Sequence, residues 1–422
     1  MDGHRDADVI VVGLGTMGSA AAEHLAACGA DVLGFERFGR GHDMASHGGG
    51  SRIIRMSYFE HPAYVPLLAR AFELWEELDA WARERGDEPI VHMTGGVYAG
   101  PPTSETFAGS RISAVTHRLE HEVLDAAETA ARYPELRLGE GEQSLHEARA
   151  GFVRPEATVA AQLARAEASG ARLRFDEKVL AVMPRPDGSV AVETETGGYV
   201  AGHVVVCAGA WSPGIFAEAR IPQFAERQVM YWFDPGDAYG EFARMPVYVH
   251  EGAAGAGVGA CADGDEALES AQIYGFPASD GREAGAKVAF FRRGGPVDPD
   301  QLDREVHDDE IADMRRRLRV TVPALADGAL VKAKACMYTV TPDHHFVIGA
   351  HPLKDGVTIA CGFSGHGFKF APVVGEILAD LALDGATAHD IGLFDPMRFT
   401  EVRAAVEEAG AAAPAGAEAP EA

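Results

Sequence analysis

Asp8-Val9-Ile10-Val11-Val12-Gly13-Leu14-Gly15-Thr16-Met17-Gly18 decides the fold. Val9 to Val12 form an unbroken apolar run, as a strand buried on both faces requires. A glycine-rich turn follows, then a helix carrying Ala20, Ala21, Ala22, Leu25 and Ala26, which Cys28-Gly29-Ala30 ends. Val32 to Glu36 is the next strand, closing on an acid. Small residues in such a turn let a pyrophosphate approach the backbone, and the helix N-terminus offers N–H groups and a positive dipole end. Glu36 is placed to accept hydrogen bonds from a ribose. Gly13, Gly15, Thr16, Met17, Gly18, Glu36 and the adjoining Arg37 are therefore expected at a bound dinucleotide, on an α/β, Rossmann-like domain. These residues alone do not separate FAD from NAD.

Working outward, residues 62–84 carry Leu67, Leu68, Ala71, Leu74, Trp75 and Leu78 at helical spacing. Helices are expected near 157–169, 300–319 and 372–383, and strands at 171–175 and 179–182. Val190 to Thr194 and Tyr199-Val200 read as a hairpin turning at Gly197-Gly198, with a separate buried strand over 204–211. Residues 221–340 read as a β-rich substrate domain. The Gly- and Ala-rich stretch from Glu251 to Ser270 reads as a surface loop or flap. The expected organisation is a discontinuous dinucleotide-binding domain over 1–92, 151–220 and 341–404. A substrate domain takes 93–150 and 221–340, and a disordered tail takes 405–422.

The chain has 422 residues, 47% of them hydrophobic, and a formal net charge of −27. Two cores are expected at this length. The acidic balance excludes nucleic acid as a partner, because phosphates need basic patches. An anionic substrate would need cations inside its own pocket. Five cysteines with no metal spacing suit a reducing cytoplasm, and no metal site is expected. No apolar stretch has the length of a membrane span, and no secretory leader is read at the N-terminus.

Three further blocks carry a resemblance. The first is Ser46-His47-Gly48-Gly49-Gly50-Ser51-Arg52-Ile53-Ile54-Arg55. The second is Cys336-Met337-Tyr338-Thr339, and the third runs from Gly362 through Ser364-Gly365-His366-Gly367-Phe368 to Lys369. With the turn at 13–18 they resemble the monomeric sarcosine oxidase/N-methyltryptophan oxidase family over roughly residues 8–400. The resemblance implies a D-amino-acid oxidase-like two-domain fold. It also implies FAD bonded through its 8α carbon to the sulfur of Cys336 as an 8α-S-cysteinyl link.

Arg52 would then lie beside the flavin and Arg55 at the substrate carboxylate, with Lys369 completing the clamp. Ser46, His47 and Ser51 would belong to the cofactor site, as would Gly362, Gly365, His366, Gly367 and Phe368. Val204 to Trp211 resembles the returning strand of such flavoproteins, which brings Ala208, Gly209 and Trp211 to the cofactor, with Val179. Lys287, in a strand after Tyr274-Gly275-Phe276-Pro277, resembles the lysine that activates oxygen, and Tyr274 matches an active-site tyrosine. A fixed cation there would stabilise superoxide as the first electron transfers.

Two departures stand out. His47 sits five residues before Arg52, where the family's histidine sits four before, so Gly48 takes the family position. Phe291 stands where sarcosine oxidase has an active-site histidine. From Phe291 and the 251–270 stretch we expect a larger or cyclic, apolar secondary amino acid as substrate. The expected reaction is oxidation of its C–N bond to an imine, with O2 reduced to H2O2 by a monomeric cytoplasmic enzyme. Two alternatives stay open: an oxidase of an aromatic or heterocyclic biosynthetic intermediate, and a flavin dehydrogenase with a protein electron acceptor.

Overall fold

A computed structural model of the chain describes residues 5–252, 268 and 270–412. Most of the stretch read as a flap lies outside the described residues, as does the tail from 413 onward.

Strand β1 (Ala7–Val12), helix α1 (Thr16–Ala27) and strand β2 (Val32–Phe35) form the expected unit. β1 pairs in parallel with β2 on one side and with the strand Gly198–Val206 on the other, Val12 lying opposite Phe35 and Val206. Alternation across the pleat sends Val9 and Val11 to one core and Ile10 and Val12 to another. On the first face pack α1 and the helices Val65–Glu84, Pro155–Ala168 and Ala371–Leu383. Both faces of the sheet are thus covered, which is why β1 reads as an unbroken apolar run.

Gly198–Val206 is one strand, not a hairpin arm followed by a separate buried strand. Its first half pairs antiparallel with Val190–Thr194 and its second half pairs in parallel with β1 and Val357–Cys361. The half-exposed start and buried end hide this continuity from a reading by hydrophobicity.

Among the described residues the second sheet has nine strands. Its longest pairing joins Phe224–Phe233 to Leu330–Val340 in antiparallel register, with Cys336 opposite Gln228. Ala286–Phe290, which bears Lys287, lies on the other side of Phe224–Phe233. A small third sheet joins Arg52–Ile54, Gly151–Val153 and Val91–Met93.

Two expectations shift. The charged helix begins at Asp308 rather than near 300, because Asp308, Asp309 and Glu310 crowd its first turn and the Glu310 carboxylate reaches back to accept from His307 N at 2.9 Å. The chain after 404 is not wholly a disordered tail. A helix spans Thr400–Ala412, anchored by Val402 and Ala405 in buried positions.

Candidate active site

A cavity of about 400 Å3 runs along the C-terminal ends of β1 and β2. A smaller one of about 60 Å3 adjoins it, and Arg52, Tyr338, Gly365 and Phe368 line both.

The large cavity is lined at one end by Gly13, Gly15, Thr16, Met17, Glu36 and Arg37. Gly13 takes φ 87°, and a Cβ there would lie 2.6 Å from the Cys207 carbonyl oxygen. A Cβ on Gly18 would strike the Gly13 carbonyl, so Gly18 serves the packing of the turn and does not line the cavity. A Cβ at Gly15 meets nothing, and this residue caps α1 with no side-chain hydrogen bond. The first N–H groups of α1 are therefore left for a ligand.

Glu36 accepts from Leu14 N at 3.0 Å and Phe38 N at 3.1 Å. Burial works against its charge, but hydrogen bonds from His42, Leu14 and Phe38 outweigh it and hold the carboxyl below its ordinary range. Ser46, His47, Arg52, Val179, Ala208, Gly209, Trp211, Gly362, Gly365, Gly367 and Phe368 line the same cavity. The buried His47 Nδ1 has no hydrogen-bond partner among the described residues. A cavity with a buried acid beside a glycine turn, open helix N–H groups and an orphaned ring nitrogen fits a dinucleotide such as FAD.

Cys336 lines neither cavity. It is buried beside Met230 and Ala289, on the same strand face as Tyr338. Burial pushes its thiol up, while Arg52, Lys287, Lys334 and Arg304 pull the other way. Cys28, Cys207 and Cys361 are also free thiols.

Arg52 gathers the loop before it. Its guanidinium donates to the carbonyls of Ser46 (2.8 Å), Gly48 (2.6 Å) and Ser51 (2.8 Å). Lys287 Nζ donates to Gly49 O (2.9 Å), Ser51 O (2.8 Å) and Ser51 Oγ (3.3 Å). Three acceptors suit the three donors of an ammonium. Burial, and then the charge of Arg52, still press the Lys287 pKa well below its ordinary value. Ser51 thus holds Lys287 and lines neither cavity.

The small cavity is lined by Arg52, Ile53, Arg55, Phe59, Glu60, Val249, Tyr274, Phe276, Phe291, Tyr338, Gly365, His366, Phe368 and Lys369. Arg55 is buried, its guanidinium 3.9 Å from the Phe59 ring centroid and 4.3 Å from that of Tyr58. Lys369 Nζ donates to His366 O at 2.8 Å. Burial, then the charge of Arg55, lowers its pKa to about 7 although Glu60 opposes this. Trp75 anchors the segment by donating to Lys369 O at 2.9 Å. His366 is buried, bonded to the Tyr58 hydroxyl and, through Nε2, to His344 O at 2.8 Å. Burial keeps its ring well below the usual histidine range. The Tyr274 and Tyr338 hydroxyls lie 3.2 Å apart.

Sequence reasoning missed Glu60. Its Oε2 lies 2.6 Å from Arg55 Nη2, with both side chains buried. Burial works against its charge, but Arg55, His366, Lys369 and Arg292 hold its pKa down at about 2. A lone acid in a loop carries no motif; its only signal is its place between aromatic Tyr58-Phe59 and His61. Also missed was Glu147, which accepts from Met56 N, Ser57 N and Tyr98 Oη and so fixes the segment after Arg55.

A family model described as FAD dependent oxidoreductase matches residues 8–381. The chain is 51% identical to a monomeric sarcosine oxidase of Streptomyces avermitilis, over 93% of this chain and 97% of that protein. It is 33% identical to an N-methyl-L-tryptophan oxidase of Escherichia coli, over 93% of this chain and 99% of that one. Among solved structures, the fold is similar to that of NikD, an unusual amino acid oxidase essential for nikkomycin biosynthesis. The TM-score is 0.77 and the identity 22%, over 93% of this chain and 98% of that one.

Proposed function

The chain belongs to the FAD-dependent oxidoreductase family, among the relatives of monomeric sarcosine oxidase and N-methyltryptophan oxidase, and from that premise we propose that it oxidises a small secondary amino acid. The carrying observation is a pocket with two buried cations, Arg55 and Lys369, that adjoins the dinucleotide cavity through four shared residues. The substrate is an N-methyl or cyclic amino acid, the product an imine, and the electron acceptor O2, which leaves as H2O2.

FAD, when bound, supplies the two-electron acceptor for hydride leaving the carbon attached to nitrogen, and it passes those electrons to oxygen. Gly13, Gly15, Thr16, Met17, Glu36 and Arg37 hold its adenosine and pyrophosphate. Ser46, His47, Arg52, Val179, Gly362, Gly365, Gly367, Phe368 and the 208–211 segment would hold the remainder, whereas His366 and Lys369, expected there too, line the small cavity alone. Cys336 carries the thioether link. Its position on the Tyr338 face of the strand, among the charges of Arg52 and Lys287, supports this assignment.

Arg55 and Lys369 orient the substrate carboxylate, the guanidinium through its fork. Phe59, Phe276 and Phe291 exclude water around the amine. The surrounding positive charge disfavours an ammonium, so the substrate reacts as the neutral amine and no side chain is required as general base. Lys287, held by three oxygens, keeps a cation beside the site where negative charge develops on oxygen.

Phe291 fills space rather than extending it. A cavity of about 60 Å3 walled by Phe59, Phe276 and Phe291 favours a small substituent over the larger apolar substrate expected from Phe291. The FAD-binding part is assigned to 1–92, 151–220 and 341–404, and the substrate part to 93–150 and 221–340. The enzyme is read as a cytoplasmic monomer; the four described cysteines are free thiols, which suits a reducing compartment. No helix among the described residues is long and apolar enough to cross a membrane.

The test is peroxide release from the holoenzyme across N-methyl, cyclic and primary amino acids. Small N-methyl or cyclic substrates should give one peroxide per turnover. Turnover only with an artificial electron acceptor would assign a dehydrogenase instead.

A further inference from the structure

Glu60 takes Nη2 of Arg55 at 2.6 Å and the Ser57 carbonyl takes Nη1 at 3.0 Å, so the forked edge of this guanidinium is already filled. A substrate carboxylate therefore competes with Glu60 for the same guanidinium. If Arg55 turns to the substrate, Glu60 becomes a buried anion without its partner, a costly state unless another cation takes it.

Arg292 stands in that place. Its Nη2 lies 3.9 Å from Glu60 Oε1, the oxygen that Arg55 does not use. Neither of these two atoms makes a hydrogen bond among the described residues, and Arg292 Nε is likewise unpaired. Closing the gap takes a shift of about 1 Å, since such bonds settle near 2.9 Å. Nη1 is tethered to His344 Nδ1 at 2.6 Å, and the guanidinium stacks 4.3 Å from the Phe291 ring centroid. Arg292 has φ 51° and His344 φ 59°. Side-chain-bearing residues avoid that region, so local backbone strain accompanies the placement of this guanidinium behind Glu60. Arg292 lines neither cavity and acts only through Glu60.

We propose that Arg292 is a positioning residue that takes over Glu60 when a carboxylate ligand engages Arg55. The Arg55–Glu60 pair opens as the Arg292–Glu60 pair closes, and the pocket changes partners without leaving a bare charge. This rests on the reading of Arg55 as the carboxylate clamp.

The test is calorimetric titration of the FAD-loaded enzyme with propionate, which cannot be oxidised as an amine. R292M should weaken binding roughly 10-fold, within the usual range for coupled sites. In an E60Q background the same R292M change should have no effect, because no carboxylate then competes for Arg55. A penalty of equal size in both backgrounds, or no penalty in either, overturns the proposal. R292K keeps the charge but loses the fork. Run through the same cycle, it should show a smaller loss that E60Q also removes, and this decides the matter if R292M does not fold. R55M separates the two readings. If R55M binds propionate like the wild type, the clamp itself fails. If R55M weakens binding while R292M does not, only the exchange fails.

Discussion

Lys287→Met removes one charge and nearly no volume from a buried site. The ammonium is held by Gly49 O, Ser51 O and Ser51 Oγ, and it lies 4.8 Å from the centroid of Phe276, a wall of the small cavity. Lys287 itself lines neither cavity, so the charge acts through the Phe276 wall, and a dioxygen that comes within about 4 Å of Nζ feels it. At an effective dielectric near 20, one unit of negative charge gained there is stabilised by about 4 kcal/mol. Losing it slows oxygen reduction by about 10^3-fold, at 1.36 kcal/mol per decade. Hydride transfer would spread its negative charge over the reduced flavin and leave a cationic iminium beside it, rather than concentrate an anion at Nζ, so flavin reduction should fall by less than about 10-fold. Stopped-flow mixing measures each half-reaction: enzyme with substrate without oxygen, and reduced enzyme with oxygen. Equal slowing of both, or an unchanged oxygen reaction, would refute the assignment. A raised pH should imitate the substitution. Burial and Arg52 depress the Lys287 pKa, so the ammonium is present below that pKa and the fast oxygen reaction is lost as pH rises through it.

Cys336→Ser should leave all yellow colour in the supernatant after acid precipitation, where the wild type keeps it in the pellet; equal partition would refute the thioether. Lys369 has a pKa of about 7 in the free site, so carboxylate ligands should bind more weakly as pH rises above 7, by up to about tenfold per pH unit. Lys369→Met should flatten that slope, measured by titration calorimetry. Glu60→Ala strands the buried Arg55 and should cost about 3 kcal/mol of stability, read as a lower denaturation midpoint of the holoenzyme. Phe291→Ala should raise kcat/KM for bulkier N-methyl amino acids relative to N-methylglycine, by roughly 10-fold or more.

The dinucleotide half was legible because its constraints are local. A buried strand, a glycine turn and an acid after the next strand specify one another within about 30 residues. Arg55, Lys287 and Lys369 became legible only through the blocks around them, since a lone cation in a strand or loop has no local signature. Glu60 and Arg292 were not legible at all. Their meeting depends on the turn after Phe290 and the loop after Arg55 converging in space. The partner switch of Gly198–Val206 was missed for the same reason: pairing is decided by neighbours distant in sequence. The walls of the small cavity were only partly legible: Phe291 stood out as a departure, but Phe59, which packs edge-on against it, and Phe276 had no signal of their own.

The most direct test of the central claim is anaerobic flavin bleaching by an N-methyl amino acid compared with its methyl ester. Paired cations in a pocket beside the flavin cavity require the free carboxylate, so the acid should bleach the flavin and the ester should not. Equal bleaching by both, or none by the acid across the N-methyl and cyclic series, would contradict the account.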